Sequence, residues 1–450
     1  MDIKSTADKL LKGEIGSVVS DVKSQLERSL NLIGVIIISL AAMIGSGLFV
    51  LPSFAAEIMG PGIWLAFLLA ALVVLPGAIS KSELASTMPE SGGSYVYLER
   101  TYGPIIGTIS GLGLWASFLL KSAFALIGFS AYMHVVTTYF EVSTLDTVAM
   151  ALFALVLITI LNIFGIKKIK SVQTPILAFT TGLLIIICIF QLFDADTDFA
   201  RPIDAAFDVS KNNPILLAEA AALLFIAYAG IIKVGAIGGE VKNPQKNLPS
   251  GMLLSLLIAT ILYCTVTYIM MASVESTWWL NDDGTAREDP VYAFVDAVAS
   301  TKIGIAMATL AVLTMISGAL AGVLASSRFL FAMARDNLLP QSLEDVNAKY
   351  ETPHWAIIIT GFSMALCILF MEVKDVAKLA SGFQIMVIMM MNMSVIVLRN
   401  AKRADKRHDW YHPKFKSPLY PWLQLFGLIS GGYLVHIMGD KALIGGVAAI

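Results

Sequence analysis

Charge is scarce in this sequence. Asp, Glu, Lys and Arg make up 14% of its 450 residues and hydrophobic residues 57%, with a mean hydropathy of +0.77. A soluble globular domain has about 25% charged residues, so that class is excluded. The net charge of −2 supplies no basic surface for a nucleic-acid partner. Cysteine is scarcer still: Cys188, Cys264 and Cys367 all lie in apolar runs, with neither a disulfide framework nor metal-ligand spacing. Of the five histidines only His408 and His412 are four residues apart, in a basic loop where a solvated face is the plain reading. No metal or cofactor is expected. Paired aspartates, a serine–histidine pair or a histidine cluster at membrane depth, which an intramembrane hydrolase needs, are also missing, so the chain is not read as an enzyme. No cleavable signal peptide is visible, because the first thirty residues are charged and the first apolar run is of full membrane length.

Long apolar runs are what the sequence has in quantity. A helix crosses hydrocarbon in about 20 apolar residues, and eleven such stretches can be drawn: 32–59, 63–82, 105–140, 144–164, 172–193, 214–239, 250–274, 302–334, 355–371, 376–398 and 419–438. The remaining apolar residues, 441–450, are too few to span and are expected to begin a twelfth helix cut short. Residues 9–30 place Leu11, Ile15, Val18, Val22 and Leu26 on one helical face, the pattern of an amphipathic helix on the membrane surface or of a plain cytosolic tail.

The connections alternate in charge. One set carries Lys167, Lys168 and Lys170, then Lys242 and Lys246, then Arg328 and Arg335, then seven basic residues between Arg399 and Lys416. The other carries Asp194, Asp196, Asp198, Asp204 and Asp208, and later Glu275, Asp282, Asp283, Glu288 and Asp289. The positive-inside rule makes the first set, and the N-terminus, cytoplasmic.

The first span holds Gly45, Ser46 and Gly47 at its middle. Glycine costs about 1 kcal/mol against alanine in a helix interior, and an unwound backbone in hydrocarbon leaves polar groups without water. Half-helices over 32–44 and 48–59 would leave N–H groups and a positive dipole end free for an anion; a glycine-mediated helix contact is the alternative. The sixth span repeats the feature in the opposite orientation, with Gly230 interrupting it and Gly235, Gly238 and Gly239 following. Such a pair is the pattern of an inverted repeat with a binding site between the breaks. Lys121, at the middle of the third span, must face protein or water. Glu57 and Glu219 lie toward the outer ends of their half-helices, where a solvated vestibule is expected, and Lys233 is read as a cytoplasmic-side contact.

The segments AAMIGSGLFVLP (41–52), ELASTMPESGGSYVYLERTYGP (83–104), GGEVKNPQKNLP (238–249), SSRFLFAMARDNLLP (326–340) and SVIVLR (394–399) resemble, in order, motifs of the amino acid–polyamine–organocation transporter family. The resemblance runs from about residue 30 to the end. It implies an all-α polytopic membrane protein of the leucine-transporter fold: a cytoplasmic segment 1–30, five-helix repeats 31–193 and 214–398 in inverted orientation, a basic loop 399–418, and accessory helices over 419–450, the twelfth incomplete. It implies alternating-access transport in the cytoplasmic membrane, with a lipid bilayer and an amino acid as partners, and leaves room for a homo-oligomer or a further C-terminal domain.

Carried over by position, the substrate carboxylate falls on Gly45, Ser46 and Gly47 and the ammonium on carbonyls at Ala42, Met43, Ile226, Ala227 and Ala229. The family's aromatic gate falls on Ile226, leaving Phe225 or Tyr228 as substitutes. The lysine that many relatives carry seven residues after a Val-Gln pair is replaced here by Thr180, after Val172 and Gln173. Coupling therefore falls to Lys121, as proton carrier or fixed cation, or to a sodium site drawn from Thr180, Thr314 and Ser317, in which Gly318 stands where sodium-coupled relatives have a second hydroxyl. Ser122 aligns with a position lining the substrate site. The apolar side chains of Ala42, Met43, Ile226, Ala227 and Ala229 and the absence of a nearby acid favour a small neutral amino acid over arginine or polyamines. An inorganic cation or chloride carrier and a non-transporting amino acid sensor remain as alternatives.

Overall fold

The computed structural model describes residues 30–89, 93–142, 146–165, 169–236, 238–275, 277–347, 350, 352–404 and 411–439. The surface helix expected over 9–30 and the segment 441–450 lie outside these residues, apart from Leu30.

Helix α1 (Leu32–Met43) starts at Asn31, whose side chain accepts the Gly34 N–H at 2.9 Å, a standard way to satisfy a first-turn donor. The chain then passes through Ile44 and Gly45 into α2 (Ser46–Phe49) and α3 (Leu51–Met59). A 3₁₀ turn at Gly60–Gly62 leads to α4 (Ile63–Thr87), followed by α5 (Ser94–Tyr102), α6 (Pro104–Tyr139), α7 (Thr147–Ile163), α8 (Ile169–Gln191) and α9 (Ala200–Asn212). The second interrupted helix consists of α10 (Pro214–Leu224), a 3₁₀ stretch Phe225–Ala229 and α11 (Gly230–Ala236). It is followed by α12 (Pro244–Ser273), α13 (Pro290–Val298), α14 (Thr301–Arg335), α15 (His354–Phe370), α16 (Val373–Ala404) and α17 (Trp422–Ile437). Proline opens α6, α10, α12 and α13, where its missing N–H would have had no helical acceptor.

Among the described residues seven helical stretches are long and apolar enough to cross a membrane, and four shorter helices are apolar. Phe153, Phe179, Phe190, Phe362 and Ile429 point outward, as lipid-facing residues do and core residues of a soluble protein do not. The chain is a multi-pass all-α membrane protein. Inside it, α6 lies along α14, α4 along α12, and α16 packs on both α4 and α6.

Three short helices in the connections, α5, α9 and α13, escape the hydropathy reading because their apolar stretches are too brief. The second span also runs further than expected. Its helix continues to Thr87 and buries Lys81 and Glu83, which are 2% and 0% exposed. Their partners explain this. Glu83 accepts Arg399 Nε at 2.8 Å and Nη2 at 2.6 Å, the Tyr411 hydroxyl at 2.8 Å and the Ser417 N–H at 2.7 Å. Burial, together with the Glu83 charge, holds the Tyr411 hydroxyl well above the usual phenol range, so it remains a donor. Lys81 donates to the carbonyls of Ile231 at 3.1 Å and Ile232 at 2.5 Å in α11.

Removing one partner of a buried ion pair costs about 3–5 kcal/mol. Glu83→Ala should therefore melt well below the parent protein in detergent, and Glu83→Ala combined with Arg399→Met should recover part of the loss. A single variant melting with the parent would contradict this role.

Candidate functional site

The two interruptions face each other. Helix α1 stops because Ile44 is extended (φ −74°, ψ 106°) and Gly45 follows at φ −179°. The carbonyl of Gly45 is taken by the Leu48 and Phe49 N–H groups, both at 3.0 Å, but the N–H groups of Gly45, Ser46 and Gly47 have no backbone acceptor among the described residues. In the second interrupted helix the 3₁₀ stretch is pinned from α16: Ser381 Oγ accepts the Ile226 N–H at 3.1 Å and donates to the Leu223 carbonyl at 2.9 Å. The Tyr263 hydroxyl reaches the Ala227 carbonyl at 3.4 Å.

Glycine is what lets the pair approach. A Cβ on Gly47 would lie 3.1 Å from the Ala227 backbone and 3.2 Å from the Tyr263 hydroxyl, and one on Gly230 would lie 2.4 Å from the Ser39 carbonyl oxygen and 2.9 Å from Met43 N. Gly230 is helical (φ −56°) and opens α11. The interruption read at Gly230 lies instead in the five residues before it, which wind as 3₁₀ helix.

Lys121, from the middle of α6, reaches into this junction. Its Nζ donates to the Ala42 carbonyl at 2.7 Å and to the Ile226 carbonyl at 3.1 Å, one from each interrupted helix. Beside it is a cavity of about 40 Å³ whose walls include Ala42, Gly45, Ser46, Lys121, Ser122, Thr314 and Lys233. One water takes roughly 10–15 Å³ by this measure, so the cavity holds a few waters and is too small for an amino acid.

The remaining candidates fall around this centre. Met43, Ile226, Ala227 and Ala229 are buried in the contact between the two breaks and contribute backbone, not cavity wall. Phe225, Ile226 and Tyr228 are at most 1% exposed; Tyr228 packs edge-on to Tyr263 and donates to the Phe67 carbonyl at 3.0 Å. The aromatic residue that lines the cavity is Phe118. The hydroxyls of Thr180 and Thr314 are 3.2 Å apart, and each also bonds its own helix, at Ile176 and Leu310. Ser317 Oγ is buried without a hydrogen-bond partner among the described residues. Lys233 lines the cavity itself, closer to the site than the cytoplasmic-side contact expected of it. Glu57 and Glu219 pair with Lys374 at 2.9 Å and Lys378 at 3.0 Å, so neither is simply solvated. The sequence reading missed Ser381 and Lys81, since a serine in an apolar run and a lysine at its edge carry no signal of which carbonyl they meet.

The first break, with N–H groups that have no backbone acceptor among the described residues, faces carbonyls of the second, so hydrogen-bond donors and acceptors meet in the protein's interior. The model of the amino acid permease family matches residues 34–444. The chain belongs to the amino acid permease family. It is 28% identical to the branched-chain amino acid permease of Bacillus subtilis over 445 residues, covering 94% of this chain and 90% of that protein. It is also 28% identical to the serine/threonine exchanger of the same organism, over 91% of this chain and 90% of that one. A methylthioribose transporter of Bacillus subtilis is 26% identical over 92% of this chain and 88% of its own. As a permease the chain is a transporter and not an enzyme.

The glycine contacts give a stability prediction. Overpacking a close contact costs about 1–3 kcal/mol, so Gly230→Val should lower the unfolding temperature measurably. Gly45→Ala, whose Cβ meets nothing within 4 Å, should melt with the parent protein. Equal behaviour of the two would contradict the close approach of α1 and α11.

Proposed function

We propose that this permease is a secondary active transporter that moves a small neutral amino acid across the cytoplasmic membrane by alternating access, either proton-coupled or as an exchanger. The observation that carries the reading is the set of three unmade N–H groups at Gly45–Gly47 beside the Ala42 and Ile226 carbonyls, which already hold an ammonium, that of Lys121. An amino acid presents the matching pair of ends: its carboxylate accepts from the N–H groups and its ammonium donates to the carbonyls. The described cavity walls include Lys121 and Lys233 but no Asp or Glu, which disfavours a second positive charge on the cargo. Two of the relatives, a branched-chain amino acid permease and a serine/threonine exchanger, are named for amino acids with uncharged side chains, which agrees with this reading.

In this reading residues 31–193 and 214–398 are the two halves of an inverted five-plus-five repeat of the leucine-transporter fold, with the N-terminus cytoplasmic. Lys121 is the coupling residue, as a proton carrier or as a fixed cation in place of sodium. The ion pairs Lys374–Glu57 and Lys378–Glu219 tie α16 to α3 and α10 on the side read as extracellular, consistent with a carrier closed to that side.

The test is counterflow in proteoliposomes preloaded with L-leucine, L-serine or L-alanine. Labelled amino acid should accumulate, and Gly47→Val, whose side chain would press on Ala227, should reduce accumulation by about tenfold or more, the effect of about 1.4 kcal/mol. If no amino acid exchanges while potassium or chloride flux is catalysed, the ion-carrier reading replaces this one.

A further inference from the structure

We infer that Lys121 is a built-in stand-in for the substrate's amine, so that an amino acid binds by evicting the lysine from its two carbonyls. This rests on the reading of the site as an amino acid site and adds which part of the substrate the protein mimics. An α-ammonium and a lysine ammonium carry the same charge and the same three N–H donors, so acceptors that suit one suit the other. The Ala42 and Ile226 carbonyls lie at the two interruptions and hold Lys121 Nζ at 2.7 and 3.1 Å. There is one such cradle and two ammonium groups to fill it.

The two cannot share it. Like charges in a partly desolvated site repel strongly, and the described cavity walls add a further cation, Lys233, with no Asp or Glu to offset it. The substrate ammonium therefore replaces an equivalent group instead of filling a free site. Its net contribution to affinity is the difference between two similar cations on the same carbonyls, plus the work of moving Lys121 away. A carboxylate that lacks the amine faces no such competition: it can occupy the Gly45–Gly47 N–H groups while Lys121 stays in place, with the third N–H of the lysine still available. The lysine thus levels the discrimination between amino acids and the corresponding 2-hydroxy acids, and removing it restores that discrimination.

The experiment compares three pairs of ligands on the purified full-length protein: L-alanine with L-lactate, L-serine with L-glycerate, and L-leucine with L-2-hydroxyisocaproate. Binding is measured by calorimetry on the parent protein and on Lys121→Met, with Lys121→Gln as a second variant. In the parent protein, exchanging amine for hydroxyl should change Kd by less than about tenfold, because the usual advantage of a charged hydrogen bond, about tenfold to a hundredfold, is cancelled. In either variant the amino acid should gain on its hydroxy acid by at least about tenfold. A parent preference for the amine above tenfold, or a ratio unmoved in the variants because both ligands weaken together, overturns the inference and leaves Lys121 a structural lysine. Should neither variant fold, the parent ratio alone decides on the same threshold. Amino acids that bind with an unchanged ratio overturn this inference only, whereas hydroxy acids that bind where no amino acid does overturn the amino acid reading as well.

Discussion

Backbone N–H and C=O groups inside hydrocarbon have no water to bond, and each one left unmade costs several kcal/mol. The interior of this protein is arranged around that constraint at two places where a helix is interrupted. At the second, protein groups supply the missing partners: Ser381 holds the Ile226 N–H and the Leu223 carbonyl, Tyr263 approaches the Ala227 carbonyl, and Lys121 takes the Ile226 carbonyl. At the first, Lys121 takes the Ala42 carbonyl, but the donors at Gly45, Ser46 and Gly47 have no backbone acceptor among the described residues. The first break is thus left with donors, whereas the acceptors and donors of the second are largely met by side chains.

Much of the surrounding structure serves to hold the two breaks in register. Helix α16 does the most. From one end to the other it places Lys374 on Glu57 of α3, Lys378 on Glu219 of α10, Ser381 on the 3₁₀ stretch and Arg399 on Glu83 of α4. The first three are spaced four and three residues apart, which puts them on one helical face. One helix thus contacts both interrupted elements and the buried acid of α4, and its tilt would be felt by all of them. Lys81 adds a clamp on α11 through the Ile231 and Ile232 carbonyls.

The helices were legible in the sequence because apolar length is a local property: each of the eleven expected stretches corresponds to one helix or one interrupted helix, within a few residues at most ends. The first break was legible because Gly45 and Gly47 flank a serine in a run that otherwise has no reason to contain them. The second was located a few residues off, since Gly230 is required by the closeness of Ser39 and Met43 and not by backbone conformation. What could not be read was pairing at a distance. The second span was drawn to end at residue 82, which leaves the burial of Lys81 and Glu83 unread; it depends on α11 in one case and on Arg399, 316 residues away, in the other. Tyr228 looked available as a gate, yet its hydroxyl is committed to Phe67. Lys121 was flagged by the cost of a charge at membrane depth, while the identity of its two acceptors required the fold.

A structure of the full chain determined by cryo-electron microscopy with L-leucine or L-serine bound tests the central claim most directly. The account predicts the ligand carboxylate within hydrogen-bond distance of the Gly45–Gly47 N–H groups, its ammonium on the Ala42 and Ile226 carbonyls, and Lys121 Nζ moved off at least one of them. An amino acid bound away from the two interruptions, or bound between them with Lys121 still on both carbonyls, would contradict it.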